Sequence, residues 1–219
     1  MTFARQSLLF LLLGFSLTGC ALFRQAGGED GPGAPDGGEI VVVDIPVEPE
    51  ALRPPVRAID HPSPNHDART LPVSMIVLHY TAAPLRESLN VLCDGRGSRR
   101  VSAHYLVAED GTIYRLVDEL RRAWHAGVSS WRGIKDVNSA SIGIEIVNLG
   151  HDRQGRARPY PQKQIEAVAD LCLDLQSRHD IVDVVGHSDV APGRKIDPGE
   201  LFPWKTLGER GVRILPQRR

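Results

Sequence analysis

The chain has 219 residues, 42% of them hydrophobic, enough to build one sizeable core. Aromatic residues make up only 5%, whereas 21 Gly and 16 Pro demand many turns. A formal net charge of -1 with no basic run argues against nucleic acid as a partner, and Cys20, Cys93 and Cys172 lack the CxxC spacing of a cysteine-rich structural metal site.

Residues 1–19 do not belong to the fold. Arg5 precedes an apolar run from Leu8 to Leu17, the length of a secretory h-region and short for a membrane span. The run ends Leu17-Thr18-Gly19-Cys20, which resembles the lipobox of bacterial lipoproteins, where cleavage leaves the Cys lipidated. Ala21 stands where an inner-membrane retention signal usually places Asp, so the resemblance implies the periplasmic face of the outer membrane in a Gram-negative cell. From Cys20 to about residue 50 the chain reads as a flexible tether rich in Gly and Pro, with Ile40-Val41-Val42-Val43 as a short strand or packed segment. The globular domain is expected over 51–210, with a tail at 211–219. Cys93 and Cys172 fall in helical patterns and stand equally as two buried thiols or a disulfide.

Val73 to His79 is a continuous apolar run, the pattern of a strand buried on both faces, with His79 at its carboxyl end. Leu85, Leu89 and Leu92 then recur at helical spacing through Asp94. Val101–Val107, which holds His104, and Thr112–Val117 flank an Asp110-Gly111 turn and predict a hairpin. Trp124-His125-Ala126-Gly127 follows in a loop-like region. That pair suits a binding cleft, with the alternative that Trp124 caps the core and His125 is hydrogen-bonded beside it.

In Ser141 to Val147 the residues Ile142, Ile144 and Ile146 face one way, and Gly143, Glu145 and Val147 the other. A carboxylate inside such a strand is costly unless it is paired or faces a cleft. Pro161 opens a helix predicted over Gln162–His179, with Ile165, Val168, Leu171 and Leu175 on one face. The apolar run Ile181–Val185 then leads into Gly186-His187-Ser188-Asp189, and Lys195 and Asp197 project together ten residues on. Strands alternating with helices, plus a hairpin, give an α/β fold: a single domain with a central mixed β-sheet flanked by helices.

Neutral imidazoles and a carboxylate are good ligands for a borderline divalent cation such as Zn2+. His79, His187 and Asp197 make three protein ligands and leave a fourth position for water, the arrangement of a catalytic rather than a structural site. Zinc there would lower the pKa of water to about 7. Glu145 is the natural general base, and Lys195 can oppose a developing oxyanion. Neither His-Glu-x-x-His nor Gly-x-Ser-x-Gly occurs, which excludes a thermolysin-type protease and a serine-hydrolase elbow.

Five stretches carry a resemblance: 77–82 (Val-Leu-His-Tyr-Thr-Ala), 102–107 (Ser-Ala-His-Tyr-Leu-Val), 123–127 (Ala-Trp-His-Ala-Gly), 141–145 (Ser-Ile-Gly-Ile-Glu) and 186–199. Over about residues 60–205 the chain resembles the zinc-dependent N-acetylmuramoyl-L-alanine amidases, whose superfamily includes the peptidoglycan recognition proteins. The lipoprotein start points to the AmiD-like branch, related to the AmpD-like recycling enzymes. The resemblance implies hydrolysis of the amide between N-acetylmuramic or anhydro-muramic acid and L-alanine of the stem peptide, in peptidoglycan or muropeptides, by a monomer. It implies zinc on His79, His187 and Asp197, Glu145 as base and Lys195 as transition-state stabiliser. It further implies that His104, Trp124 and His125 line the substrate groove. The competing expectation is a non-catalytic peptidoglycan-binding lipoprotein of the same fold.

Overall fold

The computed structural model describes residues 55–98 and 100–215. The signal peptide, Cys20, the tether and the Ile40–Val43 segment lie outside the described residues. The central strand is β3 (Met75–Tyr80), built from the apolar run that reads as a doubly buried strand. It pairs in parallel with β7 (Ser141–Ile146) on one side and β8 (Asp183–Gly186) on the other. Beyond β7 lies β4 (Tyr105–Val107), parallel to it, then β5 (Ile113–Arg115), antiparallel to β4, and finally β1 (Ile59–Asp60), parallel to β5. The six-stranded sheet is therefore mixed, as expected from sequence, in the order β1-β5-β4-β7-β3-β8. A separate two-stranded ribbon joins β2 (His66–Ala68) to β6 (Arg121–Ala123) in antiparallel register.

Side-chain alternation decides what each face of this sheet does. Ile76, Leu78, Ile142, Ile144, Ile146 and Val184 turn to one face and pack under α3 (Gln162–Arg178). That helix contributes Ile165, Val168, Leu171 and Leu175, each worth about 1.5–3 kcal/mol on burial. Gln164, fully buried, donates through Nε2 to the carbonyls of Val107 and Val147 and so ties the helix to two strand ends. The opposite face carries Met75, Val77 and Val185, covered by α2 (Val137–Ala140) and the one-turn α4 (His187–Val190). Leu92 of α1 (Leu85–Cys93) covers Leu106 and Val147. On this second face stand the polar residues of the central strands.

Some boundaries differ from those read in sequence. The first hairpin strand is short: ahead of it the Ser102 N–H donates to the Trp124 carbonyl and the Ser102 hydroxyl accepts from the Trp124 N–H, which turns the chain towards the 121–125 segment. The final parallel strand begins at Asp183, with Val182 exposed before it. The segment set apart as a tail packs as far as it is described: Val212, Ile214 and Leu215 are buried, next to α5 (Trp204–Glu209) or against the second face. Cys93 and Cys172 are both free thiols, the latter inside α3. Among the described residues no helix is long and apolar enough to cross a membrane.

One ion cluster fastens the end of α3. Glu119 accepts from Arg178 (2.6 and 2.9 Å), His179 (2.5 Å) and the hydroxyl of Tyr105. Burial opposes its ionisation, but these donors outweigh it and hold the carboxyl near 2 rather than 4.5. A depressed folded-state pKa means stability that is present above pH 4.5 and lost as pH falls towards 2. Glu119→Gln should therefore flatten the acid limb of the stability curve between about pH 4.5 and 2, read by urea denaturation at a series of pH values.

Candidate metal and hydrolytic site

Three parallel strands deliver the site at their carboxyl ends. His79 is the fifth residue of β3, on the face away from α3, and is 1% exposed. Glu145 stands directly opposite it in the β3–β7 register, so both side chains leave the same face. His187 opens α4 immediately after β8. The chain then loops out and returns. The Ser188 N–H donates to the Asp197 carbonyl (2.9 Å), which brings the Asp197 carboxylate back to the two imidazoles. Gly186 makes the return possible, since a Cβ there would sit 2.8 Å from Cδ of Pro198.

His79 Nδ1, His187 Nδ1 and Asp197 Oδ2 converge on one point. The two nitrogens are 2.9 Å apart, and the carboxylate oxygen lies 3.1 Å from the first and 3.0 Å from the second. Burial depresses the pKa of His79 to about 4 despite its Asp197 partner, which leaves a neutral ring. Burial also opposes the charge on Asp197, but the adjoining His187 and His79 rings prevail and hold its carboxyl well below the usual range. For His187, Nε2 is 3.0 Å from the Ala126 carbonyl, which can only accept, against 3.4 Å from Arg194 Nη2; the shorter contact takes the proton and Nδ1 keeps its lone pair.

This donor set fits a divalent cation. Two nitrogens and a carboxylate oxygen face inward, and the far side of each ring is engaged by protein. Donors around tetrahedral zinc stand roughly 3.3 Å apart, a few tenths of an ångström wider than here. The His-His-Asp group is able to hold a metal ion.

A cavity of about 520 Å³ opens over this group, with His79, Glu145, His187, Lys195 and Asp197 on its lining. Its other wall is formed by Val91 and Leu92 of α1 together with Val101 and Ser102. Glu145 Oε2 is buried and has no hydrogen-bond partner in the protein. Burial, reinforced by the Asp197 charge and opposed by Lys195, pushes Glu145 up to about 8. A cation on the three ligands would act in the direction of Lys195, towards the ionised carboxylate. Lys195 itself is exposed.

Of the three groove residues implied by resemblance, His125 lines the cavity and His104 and Trp124 do not. His104 is fully buried beneath the site: its Nδ1 accepts the Gly143 N–H (2.9 Å), and its Nε2 meets the Arg121 carbonyl (3.1 Å). Burial lowers its pKa to about 3, so it is a neutral structural residue and not a groove residue. Trp124 is half-buried with the Arg100 guanidinium over its ring at 5.2 Å, and is not among the cavity-lining residues. His125 does reach the cavity, but its Nδ1 points at His79 Nε2 at 3.0 Å, behind the ligand.

Two arginines were not singled out in sequence. Arg69 donates to the carbonyls of Glu119, Ser139, Ser141 and Arg121, bracing the segments beneath the site. Arg194 donates to the carbonyls of Ala126 and Val128, both at 2.6 Å, joining the two loops that flank His187. Neither has a sequence signal, because both act on carbonyls supplied by distant segments.

Residues 69–200 match the family described as N-acetylmuramoyl-L-alanine amidase. The chain belongs to that family. It is 40% identical over 156 residues to the N-acetylmuramoyl-L-alanine amidase AmiD of Escherichia coli, a match that covers 66% of this chain and 55% of that protein. The chain thus spans about half the length of that relative. With the 1,6-anhydro-N-acetylmuramyl-L-alanine amidase AmpD of Haemophilus influenzae it shares 32% identity over 65% of this chain and 86% of the relative. The solved complex of E. coli AmiD with the substrate anhydro-N-acetylmuramic acid-L-Ala-D-gamma-Glu-L-Lys superposes with a TM-score of 0.59 at 41% identity, covering 64% of this chain and 58% of that one.

Replacing Asp197 by Ala removes one of the three candidate ligands and leaves two imidazoles. Metal analysis after dialysis should show markedly reduced occupancy for Asp197→Ala. Full occupancy would mean that another group completes the site.

Proposed function

We propose that this chain is a zinc-dependent N-acetylmuramoyl-L-alanine amidase. It hydrolyses the amide between N-acetylmuramic or anhydro-muramic acid and the L-alanine of the stem peptide during cell-wall turnover. The observation that carries this reading is the inward-facing His79–His187–Asp197 cluster with Glu145 in register beside it, at the floor of one open cavity. The relatives named as amidases, and the AmiD complex with an anhydro-muramyl peptide, support the substrate class.

Zinc held by His79, His187 and Asp197 would supply Lewis-acid polarisation of the scissile carbonyl and activation of water at neutral pH. The chain's own residues then do the rest. Glu145 takes a proton from the attacking water at Oε2, the buried oxygen with no other partner, and passes it to the departing L-alanine nitrogen. Lys195, on the cavity rim, holds positive charge towards the oxyanion that develops on the carbonyl oxygen. Val91 and Val101, both exposed on the cavity lining, present apolar surface to the substrate.

Mass analysis of muropeptides incubated with the purified chain should show free stem peptide beginning with L-alanine together with peptide-free muramyl sugar. A chelator should abolish both and zinc should restore them. New amino groups on later stem residues would instead indicate a peptidase. Glu145→Gln should keep its metal and lose about 10²- to 10⁴-fold in turnover, and near-normal turnover would remove Glu145 from the role of base.

For location, we propose a monomer anchored by lipid at Cys20 to the periplasmic face of the outer membrane. The h-region and the Leu17-Thr18-Gly19-Cys20 sequence support this. Cys20→Ser should move the chain from the membrane pellet to the soluble fraction on cell fractionation, and an unchanged distribution would remove the anchor.

A further inference from the structure

A metal-binding imidazole must present a lone pair, so something has to hold the proton on its other nitrogen. For His187 the Ala126 carbonyl does this. For His79 the corresponding partner is another imidazole, His125, and the direction of that bond depends on where the His125 proton sits.

The hydrogen-bond inventory settles the direction. The Ser141 hydroxyl has one hydrogen, and its Oγ lies 2.5 Å from the Val137 carbonyl, which can only accept. The hydrogen is committed there. Ser141 Oγ therefore offers a lone pair to His125 Nε2, 3.2 Å away, and His125 Nε2 carries the proton. None of the His125 ring's hydrogen-bond partners is a carboxylate, so the ring is neutral and Nδ1 is an acceptor. His79 Nε2–H donates to it at 3.0 Å, and His79 Nδ1 is left as a lone pair facing His187 and Asp197.

Three further contacts hold His125 in place for this. Asn138 Oδ1 accepts from the backbone N–H groups of His125 (3.1 Å) and Ala126 (2.8 Å). The ring lies flat over Gly143, where a Cβ would stand 2.4 Å from His125 Cγ. No residue with a Cβ fits there without displacing the ring, since the three nearest atoms all belong to the imidazole. Ser141, Gly143 and Glu145 are alternate residues of β7 on one face. A single strand face thus ends the proton chain, makes room for its middle member and supplies the carboxylate of the site.

We propose that His125 is a positioning residue, oriented by Ser141 across Gly143, that fixes His79 in the tautomer able to bind metal. This rests on the reading of His79, His187 and Asp197 as a zinc site, and not on which amide is cut.

The test uses the full chain with ring-15N-labelled histidine. In the metal-free protein, His79 and His125 should both show the Nε2–H tautomer. An Nδ1–H tautomer at either ring would overturn the proposal without any variant being made. Zinc affinity, by competition with a chelator, should then fall about 10- to 100-fold in His125→Ala. His125→Asn, whose amide oxygen reaches the former Nδ1 position, should recover most of that loss, and His125→Gln should not. Equal affinities across the wild-type, Ala, Asn and Gln proteins would also overturn it. Should His125→Ala fail to fold, the Asn–Gln contrast and the tautomers decide. A zinc-loaded wild-type protein that cuts no muropeptide, yet shows these tautomers and this affinity order, would refute the amidase reading and leave the positioning role standing.

Discussion

Three electron-rich atoms within 3.1 Å of one another will not stay together unaided, and much of this molecule serves to keep them there. Each is restrained from behind: His187 by a main-chain carbonyl, His79 by a second imidazole, and Asp197 by a loop whose backbone is hydrogen-bonded to Ser188. The restraints trace back to the sheet. Parallel pairing of β7, β3 and β8 sets Glu145 beside His79 and places His187 just past the adjacent strand end. Ligand sites at the carboxyl ends of parallel strands are a general outcome of this architecture.

The two faces of the sheet divide the labour. One is wholly apolar and closed by α3, and it supplies the stability. The other collects the polar residues of the central strands and is covered by short helices and irregular chain, so a cavity can open there. A buried carboxylate such as Glu145 costs free energy where it stands. The hydrophobic seal on the far face is what tolerates that cost.

Three residues of the candidate site were legible because each interrupts an apolar strand or stands at its end, where a polar side chain needs a reason. His79 and Glu145 stand out in otherwise apolar runs, and His187 follows one directly. The mixed sheet was legible from the same runs, together with the Asp110-Gly111 turn. His104 was placed in the groove by likeness alone, and Trp124 by likeness together with its place in a loop. A histidine satisfied by a backbone N–H and a carbonyl looks, in sequence, like one that faces a ligand. Ser141 and Gly143 carried no signal of their own, since their roles appear only when the loop holding His125 folds down upon them. The burial of Val212, Ile214 and Leu215 was hidden for a related reason: a short segment without periodicity does not reveal what it will pack against.

The cavity has two walls of different origin. The ligands and the groups that orient them come from β3, β7, α4 and the segments at 125–128 and 194–197. The facing wall is α1 and the irregular chain at 101–102. No hydrogen bond found at the metal cluster comes from that second wall. The shape of the cleft and the geometry of the cluster are therefore separable: exchanging Val91 or Val101 for a larger or smaller side chain would change what the cavity admits while leaving every one of those hydrogen bonds in place.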